Sequence, residues 1–272
     1  MLAEFFKLDK KDIAPLLRTF VEQDFFSIFP ELKDSVSIVA TGSIATQNYD
    51  TYSDVDLAII FNTKEQVEKY SPLIKEYKKH IRDTGEPIQV HTPTTFGEIE
   101  SALITWKQDD LLREYSQALL IVDPSDAFLN LQRRFSYYPE EIYREKILWL
   151  FAETVFQIRE RLDIAVARED VYFCEVIKVQ VVRLYFNTLL FLHKKWPAFD
   201  KHLYPDVRRA APSPLLAVAE KLLAEQDMAN LIPSANQAKI QLETLLLEAN
   251  LIERETDQYW LDLRPRYQVK LG

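Results

Sequence analysis

The chain has 272 residues, 47% of them hydrophobic, and a formal net charge of −9. That length gives ample core for one large domain or two smaller ones, and the acidic balance excludes broad nucleic-acid binding, which needs a basic surface. A single cysteine, Cys174, excludes an intramolecular disulfide and suits a reducing cytosol. Charges at Glu4, Lys7, Asp9, Lys10 and Lys11 interrupt any signal-peptide core. The apolar runs elsewhere break well before bilayer-spanning length. A cytoplasmic protein without a membrane anchor is expected.

The first predicted element is an amphipathic helix over 11–29, with Ile13, Leu16, Leu17, Phe20, Val21 and Phe25 at helical spacing. Asp12 can cap its start and Pro30 fits its end. A β-type run follows at Val36, Ile38 and Val39 and breaks at Thr41-Gly42-Ser43. Gly42 is one of only four glycines. At a strand-to-helix turn it permits a sharp bend and close ligand approach, and the exposed amides with the Ser43 hydroxyl suit a phosphate. Asp54-Val55-Asp56 then leads into Leu57-Ala58-Ile59-Ile60-Phe61. Alternation along a strand sends Asp54 and Asp56 to one side and Val55 and Leu57 into apolar packing. Two convergent carboxylates suit Mg²⁺, which takes one or two of them plus substrate phosphate oxygens.

A second helix is predicted over 63–82, with Val67, Tyr70, Leu73, Ile74 and Tyr77 on one side and a solvated Lys- and Glu-rich face. Gly85-Glu86-Pro87 turns into a short strand at 88–92, where Ile88 and Val90 look inward while Gln89 and His91 share the other face. A helix follows Phe96 as far as Tyr115. Residues 117–122 read as a buried strand ended by Asp123-Pro124, with Asp123 a turn residue. Beyond Pro139 strand signals become scarce. Helices over 140–168, 170–195, 213–225 and 234–256, joined by short proline-marked loops, predict an antiparallel helical bundle. Cys174 falls in an apolar helical run and reads as a buried thiol. The fold class is therefore α+β: a small mixed-sheet domain over 1–135 followed by an all-α bundle over 136–272. Trp260, Arg264, Arg266, Tyr267 and Lys270 form a basic-aromatic tail.

Gly42-Ser43 followed eleven residues later by Asp54-x-Asp56 on a strand resembles the nucleotidyltransferase superfamily of polymerase-β type. More narrowly, it is similar to the antibiotic (kanamycin-type) nucleotidyltransferases and their relatives. The resemblance implies that Gly42 and Ser43 contact the triphosphate of an NTP and that Asp54 and Asp56 hold Mg²⁺. Two departures stand out. Where many members carry an Arg-Gly pair, this chain has Thr46-Gln47. A third carboxylate is expected on the strand at 88–92, where Gln89 and His91 stand instead as metal-ligand candidates; Glu86, Glu98 and Glu100 lie nearby. Asp123-Pro124 after a strand, and the run Leu189 to Pro197 followed by Lys201, also resemble these relatives, making Lys201 a candidate phosphate contact. Glu153, on the first bundle helix, is a candidate general base for an acceptor hydroxyl.

The implied reaction is Mg²⁺-dependent in-line transfer of an NMP, AMP from ATP, to an acceptor hydroxyl lodged between the domains. The acceptor is an aminoglycoside-like small molecule or a protein hydroxyl. Two alternatives accompany it: a catalytically impaired nucleotide-binding sensor, and an antitoxin-like protein that binds a toxin RNase. The helical half has no Arg-x4–6-His pattern, so it is not itself an RNase of that partner class. Oligomeric state is left open.

Overall fold

The computed structural model describes residues 5–197 and 200–271; the side chains of residues 10, 11 and 266–271, with Arg266, Tyr267 and Lys270 of the tail, lie outside that description. The chain divides into two compact units, Met1–Tyr137 and Tyr138–Gly272.

In the first unit, α1 (Lys10–Phe20) runs on through a π turn at Val21–Phe25. It is followed by β1 (Val36–Thr41), the single-turn α2 (Gly42–Thr46), β2 (Val55–Phe61) and α3 (Lys64–Thr84). Next come β3 (Ile88–Val90), β4 (Thr94–Thr95), α4 (Phe96–Leu103), α5 (Asp109–Gln117), β5 (Leu119–Val122) and α6 (Ala127–Arg134). The sheet order is β3-β2-β1-β5, with β4 also on β2. β1 is antiparallel to β2 and β5, while β2 is parallel to β3 and β4, so the sheet is mixed.

Alternation decides which face each strand residue serves. Val36, Ile38, Ala40, Val55, Leu57, Ile59 and Phe61 join one buried cluster with Ile13 and Leu17 of α1 and Ile74 and Ile81 of α3. The intervening residues, including Thr41 and Asp56, point to the opposite face. Thr63 opens α3 with a reciprocal capping box to Gln66, the arrangement expected to contribute about 1 kcal/mol. Gly85, in the left-handed region at φ 72°, closes that helix.

The helix expected from Phe96 to Tyr115 is two helices. Between them Trp106 takes φ 56° and packs its ring 5.2 Å from that of Phe135, so tertiary packing overrides a continuous apolar period. Asp123 does more than turn the chain. Its carboxylate accepts from the Ser37 hydroxyl at 2.6 Å and from the amides of Phe128 and Leu129 at the start of α6.

In the second unit, α7 (Glu140–Phe156) continues through a π segment at Gln157–Leu162 to Ala167. Then come α8 (Val171–Leu192), α9 (Asp200–Ala210), α10 (Ser213–Ala224), α11 (Met228–Glu248) and α12 (Asp257–Leu271). Helix α8 packs against α7, α9, α10 and α11, and α12 packs along α7. Helix α9, which carries Pro205, and α12, which covers the tail, are not among the predicted elements. α11 starts six residues before the predicted 234, because the Asp227 side chain caps the Ala229 amide at 3.0 Å and Pro233 is accommodated inside the helix. Cys174 is buried, and desolvation raises its thiol pKa. No helix among the described residues is long and apolar enough to cross a membrane.

Candidate active site

The site is built where β1 ends and β2 begins. Register places Thr41 of β1 opposite Asp56 of β2, and Gln89 of β3 beside Asp56 on the other edge. The loop that delivers Asp54 is held by its own hydrogen bonds: Asp50 Oδ1 accepts from the Tyr52 amide at 2.9 Å, and the Tyr49 hydroxyl donates to the Leu8 carbonyl at 2.6 Å. Asp54 is exposed, whereas the Asp56 side chain is 19% exposed.

Gly42 is required by Asp56. A Cβ built on Gly42 would stand 2.1 Å from Asp56 Oδ2, and the residue sits at φ +64°. Only glycine takes this backbone conformation freely and leaves room for the carboxylate. The turn and the carboxylate are thus in contact, with the half-buried Ser43 next along the chain.

Thr46 and Gln47 stand at the end of this turn. The Thr46 hydroxyl donates back to the Gly42 and Ser43 carbonyls at 3.2 and 3.3 Å. Gln47 adopts φ 59°, a left-handed conformation costing a non-glycine residue about 1 kcal/mol.

The other carboxylate oxygen, Asp56 Oδ1, meets His91 Nε2 at 3.0 Å. His91 is fixed by its amide, which donates to the Leu57 carbonyl at 2.8 Å. The hydrogen bond to Asp56 is the main reason that His91 holds its proton above the ordinary imidazole range, against the opposing pull of burial. Ile88 and Val90 are buried and Gln89 is exposed, as the alternation requires.

A further carboxylate, missed from the sequence, enters from α5. Glu114 lies in the field of both Asp56 and His91, and desolvation raises its pKa. The Thr41 hydroxyl beside it partly offsets this, although Thr41 Oγ1 is buried without a partner of full hydrogen-bond geometry. Glu114 reads in the sequence as part of a charged helical stretch, Asp109 to Glu114. Only its partial burial against β1 sets it apart.

Glu98 and Glu100 are engaged elsewhere, while Glu86 lines a cavity with Asp54. Glu98 forms a capping box, accepting from the Thr95 amide and the Thr94 hydroxyl at 3.0 Å each. Glu100 pairs with Arg134. Glu153 and Lys201 belong to the helical unit. Glu153, 8% exposed, is ion-paired to Arg264 of α12 and accepts from Gln157 Nε2 at 2.7 Å. Lys201 is exposed in the first turn of α9.

Asp54 and Asp56 offer hard oxygens, and no group of three or more His, Cys, Asp or Glu side chains among the described residues is gathered to hold an ion. Two carboxylates fit a Mg²⁺ that brings substrate phosphate oxygens with it, not a cage that binds the ion alone.

The mixed sheet thus sets the Gly42-Ser43 turn against Asp56 of β2, with Asp54 in the loop just before that strand. Residues 23–114 match the model of the nucleotidyltransferase domain family, and residues 105–203 match that of a domain of unknown function (DUF4037). The first of these matches spans the Gly42 turn, Asp54, Asp56, His91 and Glu114. A nucleotidyltransferase-like protein from Exiguobacterium sibiricum, of known structure, is 13% identical over 94% of this chain and 89% of its own, at a TM-score of 0.48. No curated protein matches the sequence.

Proposed function

We propose that the protein transfers an NMP, AMP from ATP, to an acceptor hydroxyl with Mg²⁺. The observation that supports this most directly is the contact between the Gly42 turn and the Asp56 carboxylate. Anything held by the turn's amides is brought against the two aspartates. Gly42 and Ser43 hold the leaving phosphates, and Asp54 and Asp56 are the residues that would hold Mg²⁺, which when bound neutralises charge developing on the phosphates. Gln89 lies beside them as a neutral oxygen donor. His91 orients Asp56 and shares its charge. Glu114 adds negative potential from α5 without replacing the missing strand carboxylate. Glu153 and Lys201 remain the helical unit's candidates for proton removal and phosphate contact, Glu153 only where Arg264 releases it. The reading includes a cytoplasmic location, which the buried lone cysteine supports.

A second reading, a nucleotide-binding protein with impaired turnover, is favoured by one observation. The position beside Asp56 on β3 is Gln89, an amide where the resemblance leads one to expect a carboxylate. An antitoxin-like role has no observation of its own.

The test is the Asp54→Asn/Asp56→Asn double variant. It should keep its circular dichroism spectrum and lose Mg²⁺-dependent ATP binding in isothermal titration. Unchanged Mg²⁺-dependent binding by the folded variant would refute the site. ATP binding by the wild type without any nucleotidyl transfer would select the second reading.

A further inference from the structure

A cavity of about 910 Å³ opens along the β3 edge of the first unit, with Asp54 and Gln89 in its wall. Its opposite wall is α3. Lys75, Lys78, Lys79 and Arg82 all line it, and their spacing of i, i+3, i+4 and i+7 puts them on one helical stripe. Among the described residues none of the four is ion-paired. Like charges four apart on a helix repel, so an anion bound along the stripe would relieve that repulsion. Lys78 is half-buried and lines the same cavity as Asp54. Glu76 and Glu86 also line the cavity. Cations interleaved with carboxylates suit a ligand that carries both phosphates and hydroxyl groups.

β2 lies between β1 and β3, so the Gly42-Ser43 turn at the end of β1 and the β3 edge, where the cavity reaches Asp54 and Gln89, lie to either side of the strand that follows Asp54. In-line displacement also needs the attacking hydroxyl and the leaving pyrophosphate on opposite sides of the α-phosphorus. We propose that the groove between α3 and β3 is the acceptor site and takes a small phosphorylated polyol. The inference rests on the nucleotidyl-transfer reading above. In the step, a ligand hydroxyl oxygen forms a bond to the α-phosphorus, the bond from that phosphorus to the α,β-bridging oxygen breaks, pyrophosphate leaves and the hydroxyl proton passes to water in the open groove.

Size and charge narrow the ligand. Lys75 to Arg82 spans about 10 Å of helix axis, enough for roughly two phosphate groups, and the cavity is within the range of small-molecule sites, about 300–1,000 Å³. The chain's net charge of −9 opposes a long polyanion such as nucleic acid. The four cations oppose a polycationic aminoglycoside.

The experiment uses the full chain, with fructose 1,6-bisphosphate as the small probe, (dT)12 as the nucleic-acid probe and isothermal titration as the readout. Lys75, Lys79 and Arg82 are exposed, so Lys75→Glu/Lys79→Glu/Arg82→Glu reverses charge at little cost to folding. A Gln triple variant at the same positions serves if the Glu variant does not fold. We expect the bisphosphate to bind the wild type and to bind the triple variant at least tenfold more weakly, with Mg²⁺-ATP affinity unchanged within twofold. No bisphosphate binding, or binding indifferent to the substitutions, overturns the proposal. Displacement of the bisphosphate by (dT)12 overturns the small-molecule assignment. ATP affinity falling in step with the bisphosphate gives the stripe to the donor triphosphate and overturns the acceptor role. If ATP binds neither protein while the bisphosphate still distinguishes them, the nucleotidyl-transfer reading and the acceptor role fail, and the anion site stands.

Discussion

The two units place their charged side chains in opposite ways. In the helical unit the buried charges are matched inside the fold. Glu153 meets Arg264, whose guanidinium also lies 3.7 Å over the Phe156 ring. The almost fully buried Lys178 donates to Glu175 at 2.7 Å and to the Glu225 carbonyl at 2.9 Å. In the first unit Asp54 is exposed, the four cations of α3 are not ion-paired among the described residues, and Asp56 is paired with His91. A buried charge must be compensated by the fold itself, because desolvation is expensive. A charge left uncompensated at a surface costs little and is free to meet a ligand. Glu153 thus holds two helices together, whereas Asp54 and Asp56 are left open by the fold.

The largest test of that contrast is Arg264→Met. It leaves Glu153 buried without its partner and should destabilise the helical unit by about 3 kcal/mol, read as a lowered urea midpoint. A loss below about 0.5 kcal/mol would mean that the pair behaves like a surface ion pair, and Glu153 would return as a mobile base.

Next is Gly42→Ala. Strain at φ +64° and collision with Asp56 should together cost about 2 kcal/mol and weaken Mg²⁺-ATP binding at least tenfold. Gly85→Ala is its control. It shares the left-handed conformation at φ +72° but has nothing within 4 Å of an added Cβ, so only about 1 kcal/mol of strain is expected, with binding unchanged. Equal effects on ATP affinity would show that the contact with Asp56 is irrelevant to the site.

A smaller change is expected from Gln89→Glu. The residue stands in register beside Asp56 and is exposed. A carboxylate there should tighten Mg²⁺ binding several-fold and raise any transfer rate, since an ion interacts more strongly with a charge than with an amide dipole. Unaltered Mg²⁺ titration would remove β3 from the metal site.

The smallest effect is the pH dependence of stability. His91 has a folded-state pKa raised above the ordinary 6.5 by its hydrogen bond to Asp56. Its contribution is therefore complete below 6.5 and lost as pH rises through the higher folded value. Glu114, raised above 4.5 by desolvation, acts with the same sign, but its window opens from 4.5 upward. Melting temperature should fall modestly as pH rises through both windows. His91→Gln should flatten the upper one only; a profile unaltered by that substitution would show that the contact with Asp56 does not persist in solution.

The elements that were legible in the sequence are those whose signal is local. Alternation in Val55 to Phe61 set β2 and its buried face, the scarcity of glycine drew attention to Gly42, and the change of composition after Pro139 marked the bundle. Helices α9 and α12 were not legible, because Pro205 and the charged, aromatic tail weaken the periodic signal while packing against α8 and α7 supplies the stability. Glu114 was hidden for a related reason. Nothing in Asp109 to Glu114 distinguishes one acid from another until α5 docks on β1 and desolvates one of them. The lysines of α3 likewise read as a solvated face, since periodicity reports which side of a helix is polar but not what stands opposite it. The sequence by itself thus determined the turn, the aspartate pair and the two-part architecture, all carried by neighbours in the chain. Only the tertiary structure decided that Asp56 occupies the space Gly42 leaves, that His91 reaches Asp56 and that the stripe of α3 faces Asp54 across a groove. Those contacts join residues far apart in sequence, and strand register and helix docking alone bring them together.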